Sequence, residues 1–328
     1  MRTLVKLGLL VLVVIAGWFV WAALLPVTPN GTKFVLLRPG WGARHIAQTL
    51  QNEGVIRSAN AFLVTHYALG KGNLKAGEYK FDSPASALQV RERVLRGDVY
   101  ARTVVVPEGY NIYDIAATVE QAGLGSAADF VAAARDATPL HDIDPQAESL
   151  EGYLFPDTYQ FTRIDTPHDI AVAMVHRFRQ TAQKIGLLGR PDIHRVVTMA
   201  SIVEKETAVP EERPLVAGVY YNRLDRNMLL GADPTVIYAA LLGGNYRGTI
   251  YQSNLQSDSP YNTYKSPGLP PGPIANPGRA SLEAAMHPQE NDFLFFVSDN
   301  NGHHRFSRSA AEHEKNVAAY RKAAAQQR

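Results

Sequence analysis

An uncharged apolar run near the N-terminus constrains this chain more than any other feature of its sequence. Residues 7–25 read LGLLVLVVIAGWFVWAALL, with Arg2 and Lys6 before them and Pro26 after them. As a helix rising about 1.5 Å per residue, this run spans roughly 28 Å, close to the thickness of a bilayer core. It predicts one membrane-spanning helix whose flanking cations stay in the cytoplasm, with the remaining chain on the periplasmic side of the cell inner membrane.

A cleaved signal peptide is the alternative explanation of this run. The apolar region of a signal peptide is usually only about 7–15 residues long. The one small-x-small option for cleavage, Val20-Trp21-Ala22, is a poor one. We therefore expect a retained single-pass anchor.

Composition excludes several functional classes. The chain has 33 basic and 31 acidic residues without a basic stripe, so it carries no electrostatic footprint for nucleic acid. It has no cysteine, which removes thiol nucleophiles and thiolate metal sites. The GxSxG, SxxK, HExxH and P-loop motifs are missing from the sequence. The histidines are scattered, and the adjacent His303 and His304 would face opposite ways in a strand. We expect neither a metal nor a cofactor.

The chain after the apolar run predicts two α+β modules. A Pro/Gly/Asn connector at 25–32 is followed by two similar segments, 36–56 and 105–124, each reading as a strand end, a turn, an amphipathic helix and a glycine stop. Between them, 74–81 alternates like a strand and 86–98 like an amphipathic helix. The predicted organisation is a cytoplasmic tip and anchor at 1–27, a small α+β module at 28–104 and a larger mixed α+β domain at 105–328. The turn and helix of 36–56 resemble the LysM-like fold of cell-wall-binding proteins.

A long loop rich in proline and glycine interrupts the second module. Residues 266–278, SPGLPPGPIANPG, cannot form regular structure. A loop of this kind inside a compact domain is usually functional or disordered. Tyrosines before it and the apolar strand pattern of 292–299 after it predict an ordered loop fixed to a core.

Two glutamates follow an apolar run in MASIVEKETA, residues 199–208. Each residue of a helix turns about 100°, so Glu204 and Glu206 project from different faces and cannot share a target. Glu206 lies on the side of the bulkier apolar residues, which are Met199, Ile202 and Val203. We expect Glu206 to face a cleft wall, where burial raises its pKa as a general acid at neutral pH requires. The alternative is that either glutamate is a solvated helix residue.

A second catalytic carboxylate, which an ordinary glycosidase needs, is hard to find. The first candidate for this carboxylate is Asp233 in GADPTVIY. However, Asp-Pro-Thr predicts the start of a helix with Asp233 as its N-cap. Asp258 in QSDSPYNTY is equally well explained by a turn. The chain thus offers one good acid without an evident partner.

Several motifs, in this order and spacing, resemble the YceG-like family of endolytic murein transglycosylases. They are LEGYLFPDTY, TMASIVEKETAVPEER, VYYNRL, ADPTVIYA, SPYNTYKSPGLPPGPIANPG and SLEAAMHP. The resemblance covers essentially the whole chain. It implies a lytic transglycosylase that cleaves the β-1,4 bond between N-acetylmuramic acid and N-acetylglucosamine within peptidoglycan strands and leaves a 1,6-anhydromuramyl end. The family's catalytic glutamate falls on Glu206 in the matching motif.

The implied reaction explains the missing partner carboxylate. The acid protonates the leaving oxygen and then takes a proton from the sugar's own 6-hydroxyl, so no second carboxylate has to activate water. We expect the oxocarbenium-like transition state to be supported by the substrate's own acetamido group or by oriented protein dipoles. The candidates for the dipoles are the 266–278 backbone, Tyr261, Asn262 and Tyr264, with Asn222 next, and Asp233 is a further candidate for substrate binding. The expected partners are glycan strands, the inner membrane and peptidoglycan synthases of the penicillin-binding protein class.

Two rival functions remain open from the sequence. In the first, the protein is a muramidase that hydrolyses the same bond with Glu206 as acid and Asp233 as base. In the second, it is an anchored, non-catalytic cell-wall-binding scaffold. We expect Glu204→Gln to retain most activity under the transglycosylase hypothesis.

Overall fold

The computed structural model describes residues 2–326, which divide into two compact units. Within the described residues, unit 1 comprises 2–103 and 160–166, and unit 2 comprises 104–159 and 167–326. Both units mix helices and strands, as the α+β prediction requires. Residues 160–166 fall in unit 1, although the domain boundaries predicted from the sequence place them within 105–328.

Unit 1 begins with the apolar helix. Its elements are α1 (Arg2–Phe19), a π-helical turn (Val20–Leu24), β1 (Lys33–Leu37), α2 (Ala43–Asn52), α3 (Ala59–Ala68), β2 (Gly77–Phe81) and α4 (Ala87–Arg96). The continuous helical stretch Arg2–Leu24 contains an 18-residue window with a mean hydropathy of 2.5, and it is long and apolar enough to cross a membrane.

A two-stranded antiparallel sheet organises the folded part of unit 1. Strand β1 pairs with β2 from Lys33 opposite Phe81 to Leu37 opposite Gly77. The inward positions of this sheet and the apolar stripes of the three helices form one core, which contains Val35, Leu37, Ile46, Leu50, Phe62, Tyr79, Phe81, Val90 and Val94. Helix α4 starts with a capping box in which Ser86 and Gln89 bond each other's backbone, and it ends at Gly97 in the left-handed conformation.

Unit 2 is mostly helical. Two short strands, β3 (Arg102–Val105) and β4 (Thr158–Phe161), pair where the chain passes between the units. The helices are α5 (Ile112–Gln121), α6 (Ala127–Ala134), α7 (Pro167–Lys184), α8 (Ile193–Glu206), α9 (Arg213–Asp225), α10 (Asp233–Leu242), α11 (Gln252–Leu255), α12 (Arg279–Met286) and α13 (Ala310–Gln326). A hairpin of β5 (Phe295–Ser298) and β6 (His304–Ser307) lies between α12 and α13.

Helix α8 is the centre of unit 2. It packs against α9, α10 and α12, and every residue from Val196 to Val203 is buried. A helix that is apolar on all sides belongs inside a domain. The stripe of bulky residues before Glu206 is therefore not the only buried face, because the Glu204 side of α8 is covered as well.

The loop 266–278 is ordered and covers that second side of α8. Its residues 272–278 are buried. Three α8 side chains hold it in turn: His194 Nε2 lies 2.8 Å from the Pro271 carbonyl, Ser201 Oγ accepts from Ile274 N at 3.0 Å, and Glu204 Oε2 accepts from Gly278 N at 2.9 Å. The prediction of an ordered loop fixed to a core is confirmed.

Candidate active site

Glu206 is the last residue of α8 and stands at the wall of a cavity. Thr207 follows in an extended conformation, so the helix ends where the carboxyl projects. Tyr220 of α9 donates a hydrogen bond from its hydroxyl to Glu206 Oε1 at 2.7 Å. Because Tyr220 is itself only 2% exposed, the carboxyl has a fixed partner on a rigid neighbour.

The surroundings of Glu206 favour its protonated form. Burial raises its pKa to about 7, and the negative charge of Asp233 adds to this rise. The Tyr220 hydroxyl and the Arg223 guanidinium act in the opposite direction. Lys205 donates to the Gly109 carbonyl at 3.1 Å instead of turning towards Glu206. The carboxyl can therefore give and take a proton near neutral pH, as the helix geometry predicts.

The cavity beside Glu206 has a volume of about 420 Å³. Its lining residues come from four helices, the hairpin and two loops: Glu206, Tyr220, Arg223, Gly231, Asp233, Tyr264, Phe295, Phe296 and His313. Carboxylates, phenols, a guanidinium and aromatic rings are side chains that bind the hydroxyls and the faces of sugar rings.

Asp233 and Tyr264 form the second polar pair of the cavity. The Tyr264 hydroxyl donates to Asp233 Oδ1 at 2.6 Å. Helix α10 has Ala232 as its N-cap and Asp233 within its first turn, so Asp233 is not the N-cap that the Asp-Pro-Thr pattern predicts. The preceding turn explains the difference, because Ala232 N is bound by the Thr263 hydroxyl at 3.0 Å. The Asp233 side chain is thereby left for the cavity.

Arg223 contributes a half-buried positive charge. Its Nε donates to the Leu294 carbonyl at 2.6 Å and its Nη1 to the Leu230 carbonyl, also at 2.6 Å. The guanidinium lies 5.1 Å from the centre of the Phe295 ring. These contacts fix the position of the charge at the cavity wall.

Asn222, one of the candidate binding residues, supports the cavity wall but does not line the cavity. Its amide nitrogen donates to the Asn291 carbonyl, the Asn291 side chain and the Phe293 carbonyl at 2.9, 3.1 and 3.0 Å. This clamp leads directly into β5, whose Phe295 and Phe296 line the cavity. The structure therefore places Asn222 beneath the site and not among its lining residues.

Tyr261 and Asn262 lie away from the Glu206 cavity. The Tyr261 ring packs 5.1 Å from that of Tyr238 and lines a separate small cavity. Asn262 is fully buried and donates to the carbonyls of Leu255 and Ser257 at 3.0 and 2.8 Å. Among the five candidate binding residues, only Asp233 and Tyr264 meet Glu206 at one cavity.

Asp258, His303 and His304 are not among the residues that line the cavity. Asp258 is an exposed aspartate in an ion pair with Lys265, as a turn residue would be. His303 and His304 do not face opposite ways, because only His304 belongs to β6. Their Nδ1 atoms lie 3.2 and 2.6 Å from the carboxylate oxygens of Glu212. Among residues 2–326, no group of three or more acidic or histidine side chains is placed to hold a metal ion.

Glu204 has structural partners of its own. Its side chain is 5% exposed and accepts from Arg213 Nη2 at 3.1 Å, besides the bond from Gly278 N. Glu108 lies 3.5 Å from the same guanidinium nitrogen. Neither Glu204 nor Glu206 is the solvated helix residue of the alternative interpretation.

Residues that the sequence did not single out complete the site. Tyr220 and Arg223 belong to the VYYNRL motif and lie three positions apart on α9. Their spacing on one helix face was the available signal. Phe295, Phe296 and His313 come from β5 and α13, and no local pattern connects them with Glu206.

Comparison with known proteins agrees with these features. A family model described as the YceG-like family matches residues 35–319. The chain is 33% identical to a Bacillus subtilis protein named endolytic murein transglycosylase, across 94% of this chain and 91% of that relative. A Streptococcus pneumoniae protein of the same name is 30% identical across 92% of this chain and 61% of its own length.

A solved structure gives the same result. The crystal structure of a yceG-like protein from Listeria monocytogenes superposes with a TM-score of 0.56 at 32% identity, covering 87% of this chain and 99% of that one. The site is thus a cavity with one buried carboxyl group of raised pKa, in a mixed α+β protein. The chain belongs to the YceG-like family.

Proposed function

We propose that this protein is a membrane-anchored endolytic peptidoglycan lytic transglycosylase in which Glu206 acts first as acid and then as base. The observation that carries the proposal is the Glu206 carboxyl, whose pKa burial raises to about 7 at the wall of the 420 Å³ cavity. The names of the two bacterial relatives support a murein substrate. The resemblance of the TMASIVEKETAVPEER segment to the family motif supports the choice of residue.

The reaction balances without water. Glu206 gives its proton to the glycosidic oxygen between N-acetylmuramic acid and N-acetylglucosamine, and the bond from C1 to that oxygen breaks. The 6-hydroxyl of the muramyl sugar then closes on C1, and its proton passes to the Glu206 carboxylate. One sugar leaves with a free hydroxyl, the other as a 1,6-anhydro end, and Glu206 is protonated again. The intramolecular hydroxyl has a high effective concentration, which makes a second activating carboxylate unnecessary.

The other cavity residues have distinct roles in this proposal. Tyr220 orients the Glu206 carboxyl through its 2.7 Å hydrogen bond. Asp233, held by Tyr264, supplies negative charge where the oxocarbenium-like transition state develops positive charge. Arg223, fixed by two backbone carbonyls, offers donors to sugar oxygens.

A muramidase is the second candidate, and one observation favours it. Asp233 lines the same cavity as Glu206, so a base-activated water could attack C1 there. The scaffold alternative has less support, because it rests on solvated glutamates and both glutamates of α8 have buried partners.

The anchor and the module complete the proposal. The apolar stretch Arg2–Leu24 would cross the inner membrane once, with the N-terminus in the cytoplasm and the folded part of unit 1 and all of unit 2 in the periplasm. The folded part of unit 1, with its antiparallel pair and three helices, would be the LysM-like module. Cleavage near the membrane would terminate nascent strands beside penicillin-binding proteins.

Product analysis tests the reaction type. The protein is incubated with purified sacculi in water labelled with heavy oxygen, and the muropeptides are analysed by mass spectrometry. A transglycosylase gives 1,6-anhydromuramyl ends that carry no label. Labelled reducing ends would show hydrolysis and would favour the muramidase.

A further inference from the structure

The end of the apolar helix is bound to the folded part of unit 1. Arg57 donates from Nη1 to the carbonyls of Trp21 and Leu25 at 3.2 and 2.5 Å, and from Nη2 to the Pro26 carbonyl at 2.7 Å. The last carbonyls of a helix have no partner within the helix. The guanidinium satisfies one of these, that of Trp21, and also binds the carbonyls of the two residues that follow the helix end. The same group lies 5.2 Å from the Trp21 ring.

Close packing adds to this contact between the end of the apolar helix and the folded part of unit 1, which we call the joint. Ala22 and Ala23 of the π-helical turn are buried against Ala61 of α3. Small side chains let the two backbones approach closely. Immediately after the turn, Val27 and Ala85 exchange two backbone hydrogen bonds at 2.8 and 3.1 Å. No free linker therefore separates the apolar helix from α3.

Helix α3 exposes apolar side chains next to this joint. Val64 and Tyr67 of the helix are each 53% exposed, and Leu69, its C-cap residue, is 62% exposed. With about 100° per residue, Val64 lies roughly 60° round the helix from Ala61, and Tyr67 roughly 60° further. The exposed face thus continues from the face that packs on the apolar helix. Lys71 lies at its end, with Nζ 5.4 Å from the Tyr67 ring.

The composition of this face fits a lipid surface. Tyrosine is favoured at the level of the headgroups, and a lysine can hold its stem on apolar surface while its ammonium reaches anionic headgroups. On the neighbouring turn, Trp21, Leu24 and Leu25 are 50%, 47% and 47% exposed. Exposed apolar side chains therefore lie on both elements that meet at this joint, the end of the apolar helix and α3.

We infer that the α3 face, defined as Val64, Tyr67, Leu69 and Lys71, lies on the headgroup region of the phospholipid bilayer that the apolar helix crosses. The inference rests on the membrane anchor of the proposed function. A helix that presents such a face lies in the plane of the interface with its apolar side among the upper acyl chains. Unit 1 is then attached to the membrane at two points, by the spanning helix and by the α3 face.

Site-specific fluorescence in nanodiscs tests this inference. The chain has no cysteine, so single cysteines can be labelled cleanly in the full-length protein. Labels are placed at Val64→Cys and Tyr67→Cys, with Gln48→Cys on the exposed side of α2 as the matched control and Leu12→Cys as a report on the anchor. The nanodiscs contain phosphatidylethanolamine and phosphatidylglycerol, and nitroxide lipids quench at headgroup or acyl-chain depth.

Each outcome is decisive. We expect headgroup nitroxides to quench the labels at 64 and 67 several-fold more than the label at 48, while acyl-chain nitroxides quench the label at 12. Equal quenching at 64, 67 and 48 with a quenched label at 12 would overturn the inference and leave the anchor standing. An unquenched label at 12 would overturn the anchor itself, and the inference with it. If the labels at 64 and 67 are shielded from solvent but are not quenched by the nitroxide lipids, the α3 face contacts a second copy of the protein. That result would contradict the lipid contact.

Discussion

The hydroxyl of Tyr220 controls both the position and the acidity of the Glu206 carboxyl. A hydrogen bond to a charged group contributes about 1.5–3 kcal/mol. Because this bond favours the carboxylate, Tyr220→Phe should raise the pKa of Glu206 above about 7 and move the basic limb of kcat/KM to higher pH. The turnover should also fall, since the carboxyl loses its fixed orientation. The pH profile of anhydro-end formation measures both effects.

Tyr221→Phe is the matched control for this substitution. Tyr221 is the next residue of α9, and its hydroxyl donates to the Ala285 carbonyl at 3.0 Å on another side of the helix. Its loss should lower stability slightly and leave the basic limb in place. If the limb stays where it is in Tyr220→Phe as well, this hydrogen bond does not govern the acid.

Glu204 should matter for stability and not for proton transfer. Glu204→Gln keeps the shape of the side chain but replaces a charged acceptor of the Arg213 and Gly278 bonds. We expect a loss of about 1–3 kcal/mol in the free energy of unfolding, measured by denaturant titration. The control is Glu283→Gln, whose partner Arg279 lies on the surface, where an ion pair contributes about 0–1 kcal/mol. Equal losses in the two variants would contradict the role given to Glu204.

At the scale of elements, α9 supports one wall of the cavity. Gly218 allows the 289–291 segment to approach, since an added Cβ would lie 2.4 Å from the Gln289 carbonyl oxygen. One turn later, Asn222 clamps the chain that leads into β5. These contacts position the β5 aromatic residues that line the cavity. The wall therefore depends on the hydrogen bonds of Asn222, a residue that does not line the cavity itself.

Breaking this clamp should affect both stability and substrate binding. Asn222→Ala leaves the Asn291 and Phe293 carbonyls without the amide donor, which should cost about 1–3 kcal/mol of stability. KM for glycan strands should rise more than kcat falls, because Glu206 keeps its Tyr220 partner. Thermal unfolding and steady-state kinetics measure the two changes, with the exposed Asn52→Ala as control. An unchanged KM would show that Asn222 does not support the binding wall.

Local patterns predicted the elements better than the contacts between them. The apolar stripe of α8 identified its helix and the direction of Glu206, because helix periodicity is a property of the sequence alone. The role of Glu204 needed the loop 266–278, which returns to α8 from more than sixty residues further along the chain. The capping role predicted for Asp233 failed for the same reason, since Thr263 holds the turn before α10.

At the scale of the whole molecule, composition and motif order predicted the apolar helix and the mixed α+β class. The family was also predictable, because its motifs run in order along nearly the whole chain. The return of residues 160–166 to unit 1 could not be predicted from the sequence, because it depends on the pairing of β3 with β4. The joint between the apolar helix and α3 likewise rests on Arg57, which no local pattern marks.

The raised pKa of Glu206 should make stability depend on pH. The folded protein keeps this proton up to about pH 7, whereas the unfolded chain releases it near the ordinary value of 4.5. The carboxyl therefore lowers the free energy of unfolding as the pH rises through this window, by up to ~3 kcal/mol at 1.36 kcal/mol per pKa unit. Glu206→Gln should be more stable than the wild type above pH 7, and the two should converge below pH 4.5. Parallel stability curves would contradict the raised pKa.

The most direct test of the central claim compares the two glutamates of α8 in the reaction itself. Glu206→Gln and Glu204→Gln are assayed at equal concentrations of folded protein for release of 1,6-anhydromuramyl ends from sacculi. A general acid and base accelerates a reaction by about 10²–10⁴-fold. The rate of Glu206→Gln should therefore be lower by that factor, while Glu204→Gln retains most activity. Comparable activity in both variants, or a retained rate in Glu206→Gln, would contradict the assignment of Glu206 as the catalytic residue.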